Sequence, residues 1–405
     1  MMTFLADGHA TSPQGWRAAV AACGIKYANR DDLALLVSDY PATAAAVFTT
    51  NAVKAAPVRY DMALMAQGTA LRAVVINAGN ANACTGADGD AAAVAMAQAV
   101  EQTLGLPPHS TFVMSTGTIG VPMPIEKIVR GIAVAAQRLS PEHGLAAARA
   151  IMTTDTRPKH CAVTVTLSGG HVITIGGMAK GAGMIHPNMA TMLAVVTTDA
   201  TVPRPVLDQA MRQALEVSFN SISIDGDTST NDTLLVMANG ASTAPPITDL
   251  DTPDGAAFCA GLTAVCQHLA HAIVRDGEGA TRFVTITVRG AVNDAEAKLA
   301  AMTIARSPLV KTALFGADPN WGRVLCAIGY SGATVDPDRV VLSFGGMRVL
   351  ENGLPLPFDE QAAHQLLDVA EITIDADLGL GEGKATVWTC DFSYDYVRIN
   401  AEYRT

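Results

Sequence analysis

The sequence predicts a mixed α/β or α+β fold with two core units, on three observations. Short β-rich segments alternate with helical ones along the chain. The 405 residues are 49% hydrophobic and only 16% charged, which is apolar material for a large core and more chain than one typical domain needs. No internal repeat, low-complexity tract or long linker interrupts the alternation.

In chain order, 73–77 (AVVIN) reads as a strand from its β-branched run, and 88–104 as a helix from its apolar spacing. A strand at 111–115 (TFVMS) follows, then two helices that open on proline, 124–138 and 141–152, since proline suits a first helical turn. Strands at 162–167 (AVTVTL), 172–175 (VITI) and 192–198 (MLAVVTT) come next, then helices at 204–219 and 254–275. The strand 283–288 (FVTITV) and the helix 294–304 precede a β-rich run, 385–396, that leads towards the C-terminus and predicts a docked terminal strand.

Charge and composition exclude several classes. A formal net charge of −11 and a pI near 5.2 argue against a nucleic-acid surface, for which a basic patch is expected. Each apolar run is interrupted before the roughly 18–20 residues that a membrane span needs. The start, MMTFLADGHATSPQG, has neither a basic n-region nor a long apolar h-region, so a cytoplasmic protein is expected. Seven cysteines, an odd number with no CxxC pair, read as buried thiols in a reducing compartment. No metal site is predicted: His268 and His271, three apart on the 254–275 helix, lack further ligands and read as helix surface or packing. The run Asp225 to Asp232 alternates oxygen ligands like a calcium loop, but glycine is missing at its sixth position and Val236 stands where a bidentate Glu is needed. The GNANACTGADG run has neither dinucleotide nor P-loop spacing.

The most informative stretch is 177–199, GMAKGAGMIHPNMATMLAVVTTD. A threonine hydroxyl is a poor nucleophile unless a base takes its proton. Breaking the Ala190–Thr191 bond would give Thr191 an α-amine, with a reference pKa of about 7.7–8, to serve as that base. The alternative from spacing alone is a Gly-rich turn entering a buried strand.

These residues carry a family resemblance. KGAGMIHPNMATML at 180–193 resembles the self-cleavage site of the ornithine acetyltransferases, also called glutamate N-acetyltransferases, of arginine biosynthesis. NAGNANACTG at 77–86, STGTIG at 115–120 and FGADPNWGR at 315–323 resemble the same family in the same order, so the match spans almost the whole chain. The resemblance implies a layered fold with helices around central sheets, and a nucleophile strand that starts at Thr191. It implies cleavage between Ala190 and Thr191 into fragments 1–190 and 191–405, and a heterotetramer of two such pairs.

It also implies a site. Thr191 is the nucleophile, and Thr116 and Gly117 match the oxyanion-hole pair; from the residues alone, a strand-to-helix turn capped by Ser115 or Thr116 is the alternative. Thr154, Lys180, Glu278, Asn400 and Thr405, with Thr191, match substrate-binding positions. The implied reaction is ping-pong transfer of acetyl from N-acetylornithine to glutamate through acetyl-Thr191. It needs no cofactor, although family members differ in accepting acetyl-coenzyme A as a co-substrate. A self-processing amidohydrolase or aminopeptidase with the same nucleophile is the alternative function. Asn77, Asn80 and Asn82 are expected to build a polar turn network, and Asp318 and Asn320 to order a loop above Trp321.

Overall fold

The computed structural model describes residues 1–26, 28–186 and 192–402. The expected cleavage pair, Ala190 and Thr191, and the expected pocket residue Thr405 lie outside the described residues.

The described strands are β1 (Met2–Phe4), β2 (Trp16–Ala21), β3 (Leu33–Phe48), β4 (Leu71–Asn80), β5 (Thr111–Thr118), β6 (Lys159–Thr166), β7 (Val172–Lys180), β8 (Leu193–Thr198), β9 (Ile222–Ser223), β10 (Thr233–Ala238), β11 (Phe283–Ala291), β12 (Val341–Phe344), β13 (Met347–Glu351), β14 (Leu354–Pro355), β15 (Glu371–Asp377) and β16 (Gly383–Cys390). They form two sheets, ordered β1-β6-β7-β8-β10-β3-β4-β5 with β2 also on β3, and β14-β13-β12-β15-β11-β16-β9. The helices are α1 (Ala56–Gln67), α2 (Gly86–Leu104), α3 (Ile125–Ala136), α4 (Gly144–Ala150), α5 (Arg204–Glu216), α6 (Pro253–Arg275), α7 (Asp294–Arg306), α8 (Pro308–Phe315), α9 (Trp321–Gly329), α10 (Glu360–Leu367) and α11 (Tyr394–Glu402).

The first sheet is covered on both faces, which explains why its central strands are continuously apolar rather than alternating. In β8, Ala194 and Val196 face a core shared with α5 and α6, while Leu193 and Val195 face a second core shared with Trp16 and α4. The second sheet has its own core, built with α7, α8 and α9. The two expected core units are thus two sheets. The boundary at residue 190 does not separate them: β8 lies between β7 and β10, and β10 pairs with β3, so two adjacent strands from beyond it are inserted between strands from before it in one sheet.

Several expectations need correction. The 385–396 run is not one strand: β16 ends at Cys390 and α11 follows. The chain turns because the Asp391 carboxylate accepts hydrogen bonds from the Thr281 and Arg282 amides, at 2.8 and 2.9 Å, and Ser393 Oγ donates to Gly279 O at 2.5 Å. The thiols are not uniformly buried; Cys161, Cys266 and Cys390 are, whereas Cys84 and Cys326 are exposed. One helix, α6, is after all long and apolar enough to cross a membrane by length and composition. Its apolar residues, including Phe258, Leu262, Val265 and Leu269, are buried in the core under β6 and β7. On that helix, His271 packs edge-on against Trp388 at 4.4 Å and His268 against Phe4 at 5.5 Å, the packing role expected of them.

Candidate active site at the strand ends

The site is lined from the end of β5, the end of β7, the start of β8 and the segment that follows β4. Strand β5 runs parallel to β4 and continues through Thr116 and Gly117 to Thr118, so the capped-turn alternative does not describe this segment. Asn80 pairs with both Thr116 and Thr118, which marks a bulge around Gly117. Gly117 has φ +132°, and a Cβ there would stand 2.3 Å from Gly79 C and 2.5 Å from Asn80 N. Only glycine fits that position.

Below this corner lies the asparagine network. Ser115 Oγ donates to Asn77 Oδ1 at 2.6 Å, Asn77 Nδ2 donates to Asn80 O at 2.8 Å, and the Asn82 amide donates to Asn80 Oδ1 at 2.8 Å. All three asparagines are buried and bonded, so the corner is held rigidly despite its irregular backbone. Asn231 adds a clamp, its Nδ2 donating to Ala81 O at 2.6 Å and Ser115 O at 2.8 Å.

A cavity of about 160 Å³ opens against the corner. It brings together Thr116, Gly117, Thr154, Lys180, Glu278 and Asn400, every expected site residue that is described. Lys180 is the last residue of β7, opposite Leu193 at the start of β8, and its side chain is buried at the pocket wall. Burial pushes the Lys180 ammonium below its ordinary pKa, and the Asp155 carboxylate beside it opposes that shift. Glu278 is also buried, and its Oε2 accepts a 2.8 Å hydrogen bond from Asn400 Nδ2 on α11. Gly183 lies close enough that a Cβ would meet the Glu278 carboxylate at 2.3–2.6 Å. Thus α11, rather than a terminal strand, delivers Asn400 to the pocket.

Sequence reading missed the charges that support this pocket. Lys159 Nζ sits between Asp155 Oδ1, at 2.5 Å, and Asp276 Oδ2, at 2.6 Å, with all three side chains at most 2% exposed. Burial alone would raise the Asp155 carboxyl, but Lys180, Lys159 and the Gly181 amide outweigh it and hold it well below the usual carboxylate range. The rejected calcium run also has a use: the Asp225 carboxylate accepts the Met184 and Ile185 amides at 2.6 and 2.8 Å, fixing the chain just ahead of residue 187. In FGADPNWGR, Asn320 caps α9 through the Arg323 amide and donates to Asp318, while Trp321 packs on the core of the second sheet.

A pocket with a cation at one wall, a carboxylate at another and a strained glycine corner between them defines an enzyme acting on a small charged molecule. The comparisons give the particular family. The ArgJ family model matches residues 17–405. The arginine biosynthesis bifunctional protein ArgJ of Symbiobacterium thermophilum is 51% identical, over 100% of both chains. That of Geobacter sulfurreducens is 51% identical over 97% of this chain and 99% of its own. The crystal structure of arginine biosynthesis bifunctional protein ArgJ from Bacillus halodurans superposes with a TM-score of 0.50 at 44% identity, covering 52% of this chain and 98% of that one. The chain belongs to the ArgJ family.

Proposed function

We propose that this chain transfers an acetyl group from N2-acetylornithine to glutamate, after cutting itself between Ala190 and Thr191. The observation that carries the proposal is the meeting of a buried cation, Lys180, a buried carboxylate, Glu278, and the Thr116–Gly117 corner in one pocket, where the strand following residue 191 begins. N-acetylornithine offers the matching charges, an α-carboxylate for Lys180 and a δ-ammonium for Glu278. Its relatives are named for arginine biosynthesis. The Bacillus halodurans chain, 98% covered by only 52% of this one, has the length of a cut fragment.

Self-cleavage starts with Thr191 Oγ adding to the Ala190 carbonyl; the C–N bond breaks, the nitrogen taking a proton to become the free Thr191 amine, and the ester left on Oγ is hydrolysed by water to the Ala190 carboxylate and the free hydroxyl. In turnover, that amine takes the Oγ proton as Oγ attacks the acetyl carbonyl. Thr116 and Gly117 stabilise the oxyanion, ornithine leaves with the proton, and acetyl-Thr191 remains. The glutamate amine then attacks the ester, and Oγ regains a proton as N-acetylglutamate departs. The cycle uses no cofactor. We read "bifunctional" in the relatives' names as acetyl-coenzyme A serving as a second donor to glutamate. Fragments 1–190 and 191–405 stay joined through the interleaved sheet, and two such pairs form a heterotetramer working in the cytoplasm.

Intact mass spectrometry under denaturing conditions tests this. Wild type is expected as two fragments split before Thr191, the C-terminal one gaining an acetyl group after brief exposure to N-acetylornithine, while Thr191→Ala stays whole and unacetylated. A wild-type chain that remains whole and unacetylated overturns the proposal. Steady release of acetate in place of N-acetylglutamate, with glutamate present, marks an amidohydrolase instead.

The two ends of the pocket separate kinetically. Glu278→Gln removes the partner of the δ-ammonium, which glutamate lacks, so KM for N-acetylornithine is expected to rise about tenfold or more with a smaller change for glutamate. Equal effects on both substrates would place the ammonium elsewhere.

A further inference from the structure

The Asp155, Lys159 and Asp276 cluster lies behind the Thr154, Lys180 and Glu278 positions of the pocket and does not itself line it. Asp155 follows Thr154 directly. Its Oδ1 accepts the Gly181 amide at 2.7 Å, one residue after Lys180, and its Oδ2 accepts the Thr153 amide at 2.9 Å. Asp276 lies two residues before Glu278, and its Oδ2 accepts the Thr156 amide at 3.0 Å while its Oδ1 accepts the Thr156 hydroxyl. Lys159 joins the two carboxylates. One buried cluster therefore ties together the loop carrying Thr154, the end of β7 carrying Lys180, and the turn carrying Glu278.

The cluster's charge also reaches Lys180. Two buried carboxylates share the buried ammonium of Lys159; the exposed Arg157 guanidinium approaches Asp276 at 3.7 Å, and the further cation near Asp155 is the Lys180 ammonium. Among the described residues, Lys180 Nζ makes no hydrogen bond or ion pair, so the ammonium is held by charge and faces the cavity. A cation left in that state receives an anion, and it does so only while protonated.

We infer that Asp155 is a positioning residue that keeps Lys180 an ammonium ion at the pocket wall, and that Lys159, by sharing Asp155 with Asp276, limits how strongly it does so. The charged groups that act most on Lys180 are Asp155, Lys159, Asp232 and Glu278, while Asp225, Asp227 and Tyr396 line the same cavity. The carboxylates raise its affinity for a proton, whereas burial and Lys159 lower it, burial being the largest influence. Neutralising Asp155 therefore makes Lys180 lose its proton at lower pH, and neutralising Lys159 delays that loss to higher pH. Opposite shifts from two members of one ion pair are not what general loosening of the pocket would produce.

The inference rests on the reading that Lys180 receives the substrate α-carboxylate, and two readouts keep them apart. The first is the titration of the Lys180 side chain itself, followed by the NMR signal of its 13C-labelled ε-carbon and assigned with Lys180→Arg. The second is the Kd of N-acetylglutamate against pH by calorimetry, because that ligand has no group titrating between about pH 6 and 11. For Asp155→Asn the midpoint of both curves is expected to fall by about one pH unit or more. For Lys159→Gln both midpoints rise. Asp155→Glu restores the wild-type midpoint. If Asp155→Asn does not accumulate as folded protein, Lys159→Gln carries the test by itself. Unmoved Lys180 titration in the folded variants overturns the inference. Shifted titration with unmoved N-acetylglutamate affinity upholds Asp155 as the positioning residue and removes Lys180 as the carboxylate receptor.

Discussion

Gly117→Ala is expected to lower both the rate of self-cleavage and kcat for acetyl transfer by roughly 10²–10³-fold, the scale of losing one oxyanion donor. The cause is backbone geometry. An added Cβ cannot remain 2.3 Å from Gly79 C, and φ +132° is a conformation that an L-residue rarely adopts. Relief requires β5 to part from β4 at the bulge, which carries the Thr116 and Gly117 amides away from where charge develops. The asparagine network resists a wider change, because Asn77 and Asn80 anchor the strand ends on the inner side. The loss should therefore appear mainly in kcat, with KM for both substrates little changed. Rates of chain cutting by time-resolved intact mass, and kcat with N-acetylornithine, check this together. Normal cutting with normal kcat would remove Gly117 from the oxyanion site.

What was legible in the sequence follows how local each signal is. Helices α5, α6 and α7 carry their own punctuation: a proline in the first turn of α5 and α6, and an Asn293 cap for α7. Strand β3 was not legible. Its middle, SDYP, looks like a turn and its second half is rich in alanine, yet the strand runs on through a register shift between Val37 and Ala42 because β10 and β4 supply partners on either side. The terminal run failed in the opposite direction. Its aromatic residues favour strand, but Asp391 and Ser393 turn the chain out of the sheet through bonds to a segment over a hundred positions away, and α11 forms beyond them.

The site divides in the same manner. Thr116, Gly117, Lys180 and Glu278 stand in short motifs that a family resemblance makes recognisable. The buried cluster does not, since Lys159 and Asp276 are 117 positions apart and each looks like an ordinary surface charge in its own neighbourhood. The only hint was charge within otherwise uncharged stretches, as with Lys180 among Gly, Ala and Met. Asp225, set aside in the sequence as a calcium ligand, has a role that spacing does not reveal: its carboxylate accepts backbone amides ahead of residue 187.

Lys180→Met tests the other large expectation, because its effects on activity and stability should have opposite character. Loss of the charge-assisted bond to an α-carboxylate costs about 1.5–3 kcal/mol, so KM for N-acetylornithine and for glutamate should each rise by about 10- to 100-fold. Both substrates carry that carboxylate, which separates this variant from Glu278→Gln, where only one substrate suffers. Stability should hold or rise. Methionine fills a similar length of pocket wall and removes an ammonium that is buried without a hydrogen bond among the described residues, whereas Asp155 keeps its ion pair with Lys159 and the Gly181 amide. A residue whose role was to brace the fold would behave in the reverse manner, losing melting temperature first. KM from steady-state kinetics for each substrate, beside Tm for the cut protein, decides between them; unchanged KM with a lowered Tm would make Lys180 a structural cation.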